Sequence, residues 1–168
     1  PPEGFGISAR NITVSTVGVV PGIKKLTAEG IPVRLAVSLH APSDELRDEL
    51  VPMNKRFNTT QVLDAAHDYW LASKRRVSIE YALMRGINDQ AEHAQLLAKR
   101  LNHYGDDWAH VNPIPLNPIE GSKWTASKPE DEKQFLEILH RASITATLRD
   151  TRGQDIDGAC GQLAAKER

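Results

Sequence analysis

Short β-rich runs alternate along this chain with stretches that carry an apolar helical stripe, and this alternation restricts the fold more than any other feature. The β-rich runs predict strands at 11–15, 34–39, 76–83, 110–112 and 143–148. The run at 34–39 is almost continuously apolar, which is typical of a strand covered on both faces. Strand–helix alternation joins parallel strands through helical crossovers. We therefore expect an α/β fold with a parallel sheet of about five strands.

The number of strands limits how the sheet can close. A closed eight-stranded (βα) barrel takes about 250 residues, and five strands are too few for it. The 168 residues of the chain suit a single domain with a buried core. The sequence thus predicts that residues 1–168 form either an open parallel sheet or part of a larger (βα) barrel.

Several helix ends can be located from their capping residues. In a capping box, the side chain of the residue before a helix binds the backbone N–H three residues later, and the side chain of that later residue binds the first backbone N–H. Three segments have this spacing: 58–61, 89–92 and 127–130. Ser43 precedes two acidic residues and predicts another helix start, because carboxylates suit the positive end of the helix dipole. Gly30 predicts the end of the first helix.

Composition excludes several classes of protein. The net charge of -1, from 21 Lys+Arg and 22 Asp+Glu, gives no bulk attraction to nucleic acid or to an anionic membrane. No apolar run reaches the roughly 18 residues that span a bilayer, so we expect a soluble, cytoplasmic protein. The single cysteine, Cys160, excludes an internal disulfide framework, a four-cysteine zinc site and a self-contained iron–sulfur cluster.

Polar residues gather where the predicted strands end. These strand-end residues are Ser15, Thr16, Ser38, Leu39, His40, Met84, Arg85, Asn112, Asn117 and Arg149. Ligands of parallel α/β proteins bind at the carboxyl ends of the strands, and hydroxyl, amide and imidazole groups suit a polar ligand such as a nucleoside or an amino acid. The alternative is that these side chains only satisfy backbone groups at turns.

Two further segments have open interpretations. Cys160 lies in a turn-rich segment between Gly158 and Gly161, where a thiol could have a lowered pKa and change position, or could be an inert small residue. Lys74, Arg75 and Arg76 form a basic cluster before a predicted strand. They could contact phosphate groups, although a solvated helix end is the commoner role of such a cluster.

Five motifs together resemble a known family in order and spacing. They are TVSTVGVVP at 13–21, SLHAP at 38–42, DELVPMN at 48–54, IPLNP at 114–118 and TRGQDIDGACGQ at 151–162. The chain resembles the radical S-adenosylmethionine (SAM) RNA methyltransferases of the RlmN type, which methylate adenine at C2. The related enzymes that methylate adenine C8 share much of the pattern, but the stretch at 151–157 is more similar to the C2 group.

The resemblance implies a fold, two cofactors and a set of site residues. The fold would be the carboxyl-terminal portion of a radical-SAM barrel, and the cofactors SAM and a 4Fe-4S cluster. The residues that match SAM contacts of the family are Ser15, Ser38, Leu39, His40 and Asn117. Cys160 matches the cysteine that one SAM methylates. The resemblance implies that a 5′-deoxyadenosyl radical from a second SAM takes hydrogen from that S-methyl group, and that the resulting radical adds to the adenine ring.

The resemblance covers only the carboxyl-terminal half of complete members. Their amino-terminal accessory domain, their Cys-x-x-x-Cys-x-x-Cys cluster motif and their second catalytic cysteine have no counterpart in residues 1–168. The expectation is therefore a fragment or one half of a split enzyme, inactive on its own. Its partners would be large-subunit rRNA, tRNA and a polypeptide carrying the missing half, with self-association through an exposed sheet edge. The alternative is a non-catalytic α/β half-barrel that acts as a binding module.

Overall fold

The computed structural model describes residues 6–117 and 122–149. Its strands are β1 (Thr13–Thr16), β2 (Arg34–Ser38), β3 (Val77–Leu83) and β4 (Ala109–Pro115). Its helices are α1 (Val20–Glu29), α2 (Asp44–Leu50), α3 (Thr59–Ser73), α4 (Ala91–Asn102) and α5 (Pro129–Arg141). The four strands form one parallel sheet whose spatial order, β1-β2-β3-β4, is also the chain order. The predicted α/β class with a parallel sheet is confirmed.

The fifth predicted strand is wrong for the described residues. Residues 143–148 run beside β4 and make only one parallel bridge, between Val111 and Ala146. Val111 N donates to Thr145 O at 2.9 Å, and Thr147 N donates to Val111 O at 3.1 Å. A regular ladder would continue with a donor at position 113, but Pro113 has no N–H to give. Arg149 N still donates to Pro113 O at 2.8 Å, so the segment stays beside β4, but the missing proline donor interrupts the ladder and leaves a bridge instead of a strand.

β4 itself is longer than the sequence predicts. The prediction ended the strand at Asn112 and began a proline-punctuated loop there, whereas β4 pairs with β3 as far as Pro115. Pro113 and Pro115 pair with β3 residues, but the backbone nitrogen of each proline points away from β3. The absent N–H therefore removes no hydrogen bond between β3 and β4. The carboxyl end of β4 therefore lies three residues closer to Asn117 than expected.

The hydrophobic core lies on one face of the sheet, beneath the helices. Alternate strand residues point to this face, among them Leu35 and Val37 of β2 and Ile79 of β3. Side chains of α3, α4 and α5 close over them, and the helices pack in pairs, α1 against α3 and α4 against α5. Ala36, which points to the opposite face, is also buried, so the middle of β2 is covered on both faces as predicted.

The capping signals are confirmed at some helices and wrong at others. The box at α3 is present: Gln61 N donates to Asn58 Oδ1 at 2.9 Å, and Asn58 N donates to Gln61 Oε1 at 3.0 Å. Ser43 caps α2, and α1 ends at Gly30 with φ of 66°. None of the helices in the described ranges is long and apolar enough to cross a membrane.

At α4 and α5 the predicted caps, Asp89 and Ser127, stand one residue outside the helix. The N-cap residues are Gln90 and Lys128. Asp89 and Ser127 bind each other instead, because Ser127 Oγ donates to Asp89 Oδ2, and both side chains are buried. A buried contact between the starts of two neighbouring helices has replaced two local caps.

Candidate functional site

Two rows of side chains cross the face of the sheet opposite the core. The strand register aligns Ser15, Ala36, Ser78 and His110 in one row and Ser38, Glu80 and Asn112 in the other. Paired residues of parallel strands point to the same side. The sheet therefore has one apolar face, which packs against helices, and one polar face, which is chemically equipped to bind a polar ligand.

Glu80 is the centre of the polar face. Ser78 Oγ donates to Glu80 Oε1 at 2.5 Å, and Asn112 Nδ2 donates to Glu80 Oε2 at 2.7 Å. These contacts fix the carboxylate with neighbours on its own strand and on β4. The sequence analysis missed Glu80, although the signal was present: it is the single carboxylate of a strand whose alternate residues are apolar.

His40 follows β2 and is held in one tautomer. Its backbone is left-handed, with φ of 59°, and its Nδ1 accepts a hydrogen bond from Ala82 N at 3.0 Å. The pKa of His40 is lowered, mainly by burial and then by the charge of Arg47, while Glu80 acts in the opposite direction. The ring is therefore neutral near pH 7, with its proton on Nε2, where it can be donated to a ligand.

Arg47 joins the carboxyl ends of β1 and β2. The side chain is fully buried and donates to three carbonyl oxygens, those of Val17 at 2.8 Å, Leu39 at 3.0 Å and Ser38 at 3.2 Å. Its Nη1 donates to Asn54 Oδ1 at 2.9 Å. Burial lowers the pKa of Arg47, and Asp44 and Asp48 oppose that effect.

Sequence reasoning placed Arg47 only within the helix predicted to start at Ser43, directly before the motif at 48–54, and assigned the arginine no role. An arginine inside an acidic helix start normally suggests a solvated residue. Its burial depends on carbonyl groups contributed by residues up to 30 positions earlier, Val17 being the farthest. Periodicity within the helix carries no information about such partners.

Asn88 performs a similar role between β2 and β3. Its side chain is fully buried; Nδ2 donates to His40 O at 2.8 Å and Ala82 O at 2.7 Å, and Oδ1 accepts from Met84 N at 2.7 Å. Tyr81 Oη donates to the Asn88 carbonyl at 2.8 Å. Asn88 thus holds the backbone of His40 against the end of β3, and the sequence analysis did not identify it.

The predicted site residues lie at one edge of the sheet. Ser38, Leu39 and His40 follow one another where β2 ends, Ser15 lies near the end of the adjacent β1, and Asn117 follows β4. The Leu39 side chain is fully buried in the core, and its N–H and carbonyl bind Glu80 O and Arg47 Nε. Cys160 lies outside the described residues.

The donor set suits SAM and does not suit an iron–sulfur cluster. Hydroxyl, imidazole and amide groups can bind the ribose, adenine and amino-acid parts of SAM. A 4Fe-4S cluster is held by cysteine thiolates, and the sequence has one cysteine. Among the described residues, no group of three His, Cys, Asp or Glu side chains could hold a metal ion.

This parallel sheet has one polar face, and polar side chains stand at the carboxyl ends of its strands. These features are typical of the α/β proteins that bind small polar ligands at the strand ends. Solved structures give this class a closer definition. The chain matches a radical SAM methyltransferase from Sphaerobacter thermophilus with a TM-score of 0.90 and 44% identity, over 96% of this chain and 47% of that one. A domain of pyruvate-formate lyase-activating enzyme from Bacteroides vulgatus shares the fold, with a TM-score of 0.63 at 14% identity, over 82% of this chain and 80% of that domain.

Curated sequences complete the comparison. The chain is 97% identical over all its 168 residues to the "Probable dual-specificity RNA methyltransferase RlmN" of Bifidobacterium longum, and 63% identical over 165 residues to the protein of the same name from Kocuria rhizophila. The matches cover 100% of this chain for the first relative and 98% for the second. In both cases the chain spans 43% of the relative's own length. No family model matches the chain. Over the part that it spans, the chain matches proteins of the RlmN-type radical-SAM methyltransferase family at high identity, which confirms the resemblance that its motifs indicate.

Proposed function

We propose that this chain is the SAM- and substrate-binding half of a radical-SAM RNA methyltransferase that forms 2-methyladenine in large-subunit rRNA and in some tRNAs. The observation that carries the proposal is the 97% identity, over the whole chain, to a relative named as an RNA methyltransferase. The polar face and strand ends supply the binding groups that such an activity requires. An RNA substrate of this kind places the activity in the cytoplasm.

Four side chains would hold SAM at the strand ends: Ser15, Ser38, His40 and Asn117. When bound, SAM supplies both the methyl group and the 5′-deoxyadenosyl group of the reaction. His40 would donate its Nε2 proton, while the hydroxyl and amide groups would bind other polar atoms of the ligand. Leu39, whose side chain is anchored in the core, would fix Ser38 and His40 on either side of it.

Buried neighbours keep these groups in position. Arg47 binds the carbonyls of Ser38 and Leu39, and Asn88 binds the carbonyl of His40. The backbone from 38 to 40 is thus held at both ends by donors that water cannot reach. A binding loop fixed in this way loses little conformational entropy when its ligand arrives.

Cys160 is proposed as the residue that carries the methyl group to adenine. The support is the match of residues 151–162 to the family's methyl-carrying segment and the glycines that flank the cysteine. The 4Fe-4S cluster is assigned to cysteines outside these 168 residues, because Cys160 alone cannot hold it. The partner proposed for this chain is therefore the polypeptide segment that carries those cysteines.

Direct SAM binding tests the proposed site. Isothermal titration of the chain with SAM should show saturable binding, and His40→Ala should weaken it about tenfold or more, since one hydrogen bond and its packing are lost. His103→Ala, at an exposed histidine elsewhere, is the matched control. Equal affinity of His40→Ala and the unaltered chain, with unchanged circular dichroism, would contradict the assignment.

A further inference from the structure

A basic cavity lies at the amino-terminal edge of the sheet. It has a volume of about 420 Å³, and the side chains that matter are Arg34, Lys74, Arg75, Arg76, Ser78 and His110. Arg34 begins β2, Arg76 precedes β3 and His110 is the second residue of β4. Arg34 stands four residues before Ser38 on β2, about 13 Å of strand from the edge where SAM is proposed to bind, and Ser78 and His110 lie in the same row of the polar face as Ser15.

The charges around this cavity are unbalanced. None of the described residues that line it is a carboxylate, and four are cations. Arg76 is paired with Asp107, Nη2 to Oδ1, at 3.2 Å, and the Lys74 ammonium lies 5.5 Å from the centre of the Trp70 ring. The Arg34 guanidinium has neither a hydrogen bond nor an ion pair within the described residues. An excess of positive charge in a concave site attracts anions.

Arg75 provides the second observation. Its Nη2 donates to Arg10 O at 3.0 Å, but its Nε is buried and has no partner among the described residues. Nearly all buried donors in folded proteins have a partner, so an orphaned one next to a cavity indicates that a bound group belongs there. An arginine Nε together with an Nη forms the fork that matches phosphate oxygens.

We propose that this cavity binds a phosphate group, held by Arg34 and Arg75 with His110 beside it. The residues that line this cavity are not those proposed to bind SAM, and the proposal does not depend on SAM binding. The same chemistry is present in a free or terminal phosphate and in the phosphodiester backbone of RNA. Arginine is suited to both, because its fork binds two oxygens of one phosphate.

The His110 ring reports on the site without any mutation. Burial lowers the pKa of His110, Arg76 lowers it further, and Glu80 opposes them. Adding inorganic phosphate to the chain at constant ionic strength should shift the His110 ring signals in a nuclear magnetic resonance titration, saturably, since an adjacent anion favours the imidazolium. His103, which is exposed and does not line this cavity, should not follow. The absence of a saturable His110 response would overturn the proposal.

Charge-removing variants locate the binding groups. Arg34→Gln and Arg75→Gln should each weaken phosphate binding about tenfold, as expected for the loss of a charge-assisted hydrogen bond. Lys24→Gln, which removes an exposed charge on α1, is the matched control. Arg75→Lys keeps the charge without the fork and should weaken binding too. An equal loss in Arg34→Gln, Arg75→Gln and Lys24→Gln would overturn the proposal, because it would show a general effect of removing positive charge.

A competition experiment separates the two sources of phosphate. A short single-stranded RNA that displaces inorganic phosphate from the cavity would identify backbone phosphodiester as a ligand. Pyrophosphate that competes where the RNA does not would identify a terminal phosphate. Both results support a phosphate site. If inorganic phosphate, the RNA and pyrophosphate all fail to bind saturably, the proposal is overturned.

Discussion

Single side chains fix the geometry of the candidate SAM site. His40 could be selected from the sequence because it lies where a predicted strand ends. The sequence could not predict which nitrogen of its ring carries the proton, since that depends on a hydrogen bond from Ala82 N, 42 residues later. Glu80, Arg47 and Asn88 escaped prediction for the same reason: a buried polar residue is identified by its partners, and those partners are distant in sequence.

Arg47→Met should unfold more easily than the unaltered chain. The substitution preserves volume but leaves the carbonyls of Val17, Ser38 and Leu39 buried without their donor. The free energy of unfolding should fall by about 3 kcal/mol, because each buried carbonyl left without a donor costs roughly 1–3 kcal/mol. Urea denaturation measures the change. Arg56→Met, at an exposed arginine, should change it by less than about 0.5 kcal/mol; similar losses in both variants would contradict the role of Arg47.

Histidine protonation should make stability depend on pH. Burial lowers the pKa of both His40 and His110 below the ordinary value of 6.5. At pH values between the lowered pKa of the folded chain and the ordinary pKa of the unfolded chain, the unfolded chain binds more protons than the folded one. The free energy of unfolding therefore decreases as pH falls through this window, and it has its full value above the window. The urea midpoint should therefore be lower at about pH 5.5 than at about pH 7.5.

The contribution of His40 to this dependence can be isolated. His40→Gln should reduce the difference between the two urea midpoints, because the titrating ring is gone. His103→Gln, at an exposed position, is the control for loss of a histidine. If His40→Gln leaves the pH dependence unchanged, His40 does not titrate with a lowered pKa.

At the level of helices and strands, local signals were sufficient wherever the determining contacts were local. The capping box of α3 and the glycine end of α1 were predicted because cap and partner are within four residues. The segment at 143–148 was assigned to a strand on its β-branched composition, and the prediction failed because Pro113, on the neighbouring strand, lacks a donor. Asp89 and Ser127 failed as caps because each is the other's buried partner.

The connection from β1 to α1 depends on Gly18. Its φ is 99°, and a Cβ there would lie 2.7 Å from Val62 Cγ2 and 3.2 Å from Arg47 Nη2. Gly18→Ala should lower the free energy of unfolding by about 2 kcal/mol or more, through backbone strain and overpacking. Gly30→Ala is the matched control, because its φ is 66° but nothing lies within 4 Å; it should cost about 1 kcal/mol. Equal costs in urea denaturation would contradict the close packing at Gly18.

For the whole molecule, β1 lies at an edge of the sheet. Apolar side chains around it are exposed: Ile12, Val14, Val17 and Val19 are 38% to 43% exposed. Open strand edges with apolar neighbours pair with other chains. The chain alone should therefore self-associate with rising concentration in analytical ultracentrifugation, and Val14→Lys should reduce the association. A monomer at all concentrations would contradict this expectation.

The central claim, that these 168 residues form the SAM- and substrate-binding half of an adenine-C2 methyltransferase, can be tested in a chimera. The chain would replace the matching 43% of the Bifidobacterium longum relative in bacteria that lack 2-methyladenine, and nucleosides of the large-subunit rRNA would be analysed by mass spectrometry. The account predicts that the chimera restores 2-methyladenine and that its Cys160→Ala variant does not. A chimera that forms none while the intact relative does, or a Cys160→Ala variant that still forms it, would contradict the account.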